Sequence, residues 1–126
     1  MNKDTVEWLL GPQLIGVLFI IIGYLQKNYP PKQINRFYGY RTPASIQNQQ
    51  TWNEANRYSA EYMMKCGVVL LIGGLFISGL LYFITMPDKI RFVILFLCIL
   101  GSSIGSAIGV MVSTEKHLEK NFGKQG

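Results

Sequence analysis

The side chains best suited to chemistry in this chain cluster between two apolar blocks: Asn35, Arg36, Tyr38, Tyr40, Arg41 and Thr42, then Trp52, Glu54, Asn56 and Arg57. Arginine is a planar, permanently charged fork of donors, and asparagine both donates and accepts. Such a set can form either a satisfied polar network or a recognition site. Catalysis has much thinner support. His117 stands beside Glu115 and Glu119 in a charged tail, where a solvated side chain is expected, and no nucleophile is placed beside a base. Cys66 and Cys98 fall inside apolar blocks without paired metal-ligand spacing, so they read as small core residues. Binding is expected rather than an enzyme reaction, with no cofactor, metal or disulfide.

The elements that must position this cluster are membrane helices. The 126 residues carry a net charge of +5, yet only 15% are charged and 49% are hydrophobic, with a mean hydropathy of +0.22. Residues 8–25, 66–84 and 92–112 contain no charged side chain, and each approaches the roughly 20 residues that cross a hydrocarbon core. An all-α bundle of three transmembrane helices is expected, forming one domain, and a soluble globular enzyme is excluded. The first block lacks a positive start and a cleavage site, so it reads as a retained anchor. Lys27, Lys32, Arg36, Arg41, Arg57, Lys65, Lys116, Lys120 and Lys124 fall on one side of the membrane, against Lys3, Lys89 and Arg91 on the other. Basic residues of short loops stay in the cytoplasm, which predicts an outside amino terminus, a cytoplasmic carboxyl terminus and a cytoplasmic segment 26–65. The positive charge reads as this topology and not as nucleic-acid binding. Trp8, Tyr24, Tyr29 and Tyr82 suit headgroup depth.

Within segment 26–65, Pro30 and Pro31 end the first helix. Thr42 followed by Pro43 predicts a helix start, and the absence of Gly and Pro from Ala44 to Cys66 lets that helix run into the second block. Glu54, Arg57, Glu61 and Lys65 then form a charged stripe, while Trp52, Ala55, Asn56, Ser59 and Met63 line another side. If that side packs, Asn56 must find hydrogen-bond partners. Arg36 and Arg41, set among Phe37, Tyr38 and Tyr40, either snorkel toward lipid phosphate or join a polar cluster held by Glu54 and backbone carbonyls. In the third block Gly101, Gly105 and Gly109 recur every fourth residue, a helix-packing groove. Its expected neighbour is the second block, with Gly74 and Ser78, ahead of a seam in a homo-oligomer. Pro12, between Gly11 and Gln13, predicts a kink or a late helix start in block one.

The run Ile34 to Pro43, containing Gly39, Tyr40, Arg41, Thr42 and Pro43, followed by Ser45, Asn48, Trp52 and the triplet Ala55, Asn56, Arg57, resembles the signature of the SdpI/YfhL family of small bacterial membrane proteins. The ordered motif covers about a quarter of the chain, and the three-helix layout agrees over the rest. The resemblance implies an immunity protein of the bacterial cytoplasmic membrane, which protects the cell from a secreted peptide toxin. Some relatives carry extra helices and hold a transcriptional repressor; this chain has the core unit. A small transporter or a lipid- or ligand-binding protein is the alternative. It ranks second because blocks two and three hold no ionisable group of the kind coupled transport uses.

Overall fold

The computed structural model describes residues 9–123, and among these the secondary structure is entirely helical. Helix α1 spans Pro12–Asn28, α2 spans Gln49–Phe83 and α3 spans Asp88–Phe122. Trp8 of the interfacial belt, and Lys3 and Lys124 among the basic residues that set the topology, lie outside the described residues. Pro12 opens α1 behind an extended Gly11, the late start expected of a proline whose missing amide hydrogen costs nothing in the first turn.

Lengths and faces separate the helices. At 1.5 Å per residue, α2 and α3 each reach about 52 Å, well beyond a hydrocarbon core of about 30 Å, while the 17 residues of α1 cover about 25 Å. Two helices, α2 and α3, are thus long and apolar enough to cross a membrane. Only 17% and 11% of their most apolar windows are buried within the chain. The core helix of a soluble protein would hide that surface; here Val69, Ile72, Phe76, Phe83, Leu97 and Ile104 face outward, a pattern that fits a membrane protein.

The tight contact lies between α1 and α2. A Cβ on Gly16 would stand 2.6 Å from the carbonyl oxygen of Gly67, and a Cβ on Gly67 would stand 2.6 Å from that of Gly16. Gly23 meets Ala60 and Met64, and Gly74 meets the backbone of Gln13. Both helices therefore place glycines seven residues apart on one seam, which lets the backbones approach and gain dispersion contacts. Near one end of it the Ser78 hydroxyl donates to Gln13 Oε1 at 3.2 Å, both residues being buried.

The structure departs from the sequence expectations at the start of α2 and at the glycines of α3. Helix α2 begins at Gln49 and not at Pro43 behind Thr42. Residues 43–46 make one turn, closed by the Ile46 amide on the Thr42 carbonyl. Ser45 captures the Thr42 amide through its hydroxyl, and a reciprocal capping box between Asn48 and Thr51 then starts the helix. The glycine ladder of α3 does not pack on α2 along its length. A Cβ on Gly101 or Gly105 would meet no described atom within 4 Å, and Gly109 alone faces α2, at the Tyr62 ring. The close-approach surface of α2 is already occupied by α1, so α3 packs against side chains instead.

Candidate functional site

Beyond the apolar stretches, the first half of α2, the last turns of α3 and the segment joining α1 to α2 fold together at one end of the bundle. A small core of Ala44, Ala55 and Leu118, flanked by Tyr40 and Phe122, ties the three together. Trp52 is wholly buried, and its indole Nε1 donates to the Pro31 carbonyl at 2.7 Å. The proline that ends α1 thus also anchors the segment to α2.

Asn56, 1% exposed, is the node of the site. Its Oδ1 accepts the Tyr40 amide at 2.6 Å and its Nδ2 donates to the Trp52 carbonyl at 2.9 Å. From α1, buried Gln26 donates through Nε2 to the Asn56 carbonyl and to the Ser59 hydroxyl, both at 2.9 Å. Gly39 lies directly over this node with φ +104, and a Cβ there would stand 2.5 Å from Asn56 Oδ1. Only glycine meets both the backbone and the space requirement. Upstream, Asn35 Oδ1 accepts the amides of Phe37 and Tyr38 at 2.9 and 2.8 Å, an Asx turn that reverses the chain. The Tyr38 hydroxyl returns to the Tyr29 carbonyl at 2.9 Å. Downstream, Thr42 and Ser45 exchange side-chain-to-backbone hydrogen bonds.

A second layer clasps α3. The Tyr40 hydroxyl donates to Glu115 Oε1 at 2.7 Å, and burial together with that carboxylate pushes the phenol well above its usual range. His117 stacks on Tyr58 with ring centroids 4.1 Å apart and planes 10° apart, and its Nε2 lies 2.7 Å from Glu54 Oε1. Glu54 also binds Arg57, which reaches Glu61 at 3.0 Å; Glu61 in turn lies 3.8 Å from Lys27. The Arg57 hydrogen bond, with help from His117, holds the Glu54 carboxyl down at about 2 against partial burial.

The structure sorts the sequence candidates into two groups. Asn35, Tyr38, Tyr40, Thr42, Trp52, Glu54, Asn56 and Arg57 are joined by internal hydrogen bonds. Arg36 and Arg41 are exposed and bond to no described residue, and Phe37 between them is 95% exposed. Glu54 therefore holds Arg57 but neither of the loop arginines. Sequence reasoning missed Gln26 and Ser59, whose amide and hydroxyl complete the node, and Tyr58 with His117, which is stacked rather than solvated. The one local signal for Ser59 was its place three residues after Asn56 on the Trp52 side. A cleft of about 320 Å³ beside the node is lined by Ile22, Phe37, Tyr38, Gly39, Ser59 and Met63. Among the described residues no group of three His, Cys, Asp or Glu side chains is placed to hold a metal ion.

The chain is 48% identical over 71 residues to a curated relative, the uncharacterized protein YfhL of Bacillus subtilis (strain 168). That match takes in 56% of this chain and 64% of the relative, so the chain aligns with just under two thirds of the relative's length. No solved structure matches. A model of the SdpI/YfhL protein family matches residues 32–113, which takes in the node, the signature loop and the apolar parts of α2 and α3, and the chain belongs to that family.

Proposed function

We propose that this chain is a three-span protein of the bacterial cytoplasmic membrane that protects the cell against a secreted peptide toxin, acting by binding rather than catalysis. The supporting observation is a division of labour inside the family motif. Asn35, Tyr40, Thr42, Trp52 and Asn56 are consumed by internal hydrogen bonds, whereas Arg36, Phe37 and Arg41 are held outward on the turn that those bonds build. A satisfied network centred on buried Trp52 and Asn56 that presents one aromatic and two guanidinium groups is what a rigid binding surface needs. On the charge-derived topology this surface is cytoplasmic, so the toxin is met after it has inserted into the bilayer.

The test is expression in a toxin-sensitive host, with survival normalised to folded protein in the membrane. Phe37→Ala and Arg41→Lys, the latter keeping charge but losing the forked donor geometry, are expected to abolish protection. Stability should change by less than about 0.5 kcal/mol, as for other surface positions. Equal protection per molecule by both variants would make the loop scaffold only, and a parent chain that confers no survival would remove the immunity role.

A further inference from the structure

We infer that the gap between α2 and α3 is a binding site for one anionic phospholipid, with the phosphate at Lys65 and an acyl chain between the helices. The two helices touch where Tyr58 stacks on His117 and where Tyr62 faces Gly109, and then they part. The space that opens is a groove of about 300 Å³ lined by Tyr62, Lys65, Cys66, Val69, Leu70 and Ser106. Ser106 is the α3 residue of that lining, and further along α3 the exposed Gly101 and Gly105 meet nothing described within 4 Å of where a side chain would begin.

The lining residues are ordered head to tail. Lys65 is the last charged residue of α2, and from Cys66 to Phe83 the helix is uncharged. The ammonium therefore stands at the depth of lipid phosphate while Val69 and Leu70, a turn further on, stand at the depth of the first methylenes. Lys27 and Arg57, at the same end of the bundle, each have a carboxylate within 4 Å, but Lys65 pairs with no described residue. An apolar gap in hydrocarbon loses dispersion contacts until something fills it. A second copy of this chain could supply apolar side chains there, but its uncharged spans would leave Lys65 without a counter-charge. A phospholipid supplies both parts.

This groove is separate from the signature loop, and lipid retention in it is measured independently of protection. The full chain, purified in mild detergent, is mixed with phosphatidylglycerol or with phosphatidylcholine of the same acyl chains, and bound lipid is counted by native mass spectrometry. One phosphatidylglycerol per protomer is expected, retained about fivefold better than phosphatidylcholine, the size of one cationic contact at a membrane surface. Lys65→Gln should erase that preference. Val69→Trp, at a position already 68% exposed, should fill the groove and expel both lipids. Equal retention of the two lipids by the parent would overturn the assignment. So would a preference that survives Lys65→Gln, or a lipid-free dimer that Val69→Trp dissociates.

Discussion

Asn56→Ala deletes the buried side chain that ties the signature loop to α2. The cost can be worked from its bonds. Losing Oδ1 orphans the partly buried Tyr40 amide, now held at 2.6 Å, at about 1 to 3 kcal/mol. Gln26 keeps the Asn56 carbonyl and the Ser59 hydroxyl, so it adds little. Three missing heavy atoms leave roughly 40 Å³, worth about 1 kcal/mol at ~24 cal/mol per Å³. The expected loss is therefore about 2 to 4 kcal/mol. The control is Asn53→Ala three residues away, an exposed side chain that among the described residues bonds to Gln49, for which less than about 0.5 kcal/mol is expected. Asn56→Asp keeps the acceptor for Tyr40 but turns a second oxygen toward the Trp52 carbonyl, where Nδ2 now donates. It should be at least as damaging as alanine at neutral pH and recover partly below about pH 5, once protonation restores a donor. Chemical unfolding in detergent, followed through the fluorescence of buried Trp52, measures all three. If Asn56→Ala and Asn53→Ala fall within 0.5 kcal/mol of each other, the node does not hold the loop and the division of the motif into scaffold and presented residues fails.

The remaining predictions concern packing, pH and topology. Gly67→Ala should cost about 1 to 3 kcal/mol by forcing its new methyl against the Gly16 carbonyl, while Gly105→Leu should leave the thermal unfolding of the monomer unchanged; the reverse order would place the tight seam on α3. Glu54 has its carboxyl pulled from 4.5 to about 2, so its contribution is fully present above pH 4.5 and fades as pH falls through 2. Discounted for partial exposure, Glu54→Gln should cost about 1 to 2 kcal/mol at pH 7 and only a small fraction of that at pH 2; a gap of equal size at both would mean that the ion pair with Arg57 contributes nothing. Cysteines placed at Asp88 and Asn121, in a background lacking Cys66 and Cys98, should label from opposite sides of the membrane, and labelling of Asn121 in intact cells would invert the topology.

Local pattern was enough for the helices and for part of the site. Runs free of charge mark the apolar stretches of α2 and α3, and the three-residue step from Glu54 to Arg57 puts the ion pair on one face before any fold is known. The shared face of Trp52 and Asn56 likewise demanded partners for the amide, because a buried polar group without them is costly. Their identity was not local. Gln26 and Ser59 lie 33 residues apart and meet because glycines at 16, 23, 67 and 74 set how α1 slides along α2. His117 reaches Glu54 across 63 residues only because α3 continues as helix past its apolar stretch and docks on Tyr58. The start of α2 turned on the same kind of competition: Thr42 with Pro43 is a sound helix signal, yet Ser45 bonds back to the loop and Asn48 with Thr51 offers a better cap. Periodicity along the chain encodes which faces are apolar or charged. Which faces meet, and so which polar groups are satisfied and which arginines are left exposed, depends on helix register, and that is decided by backbone contacts between residues far apart in the chain.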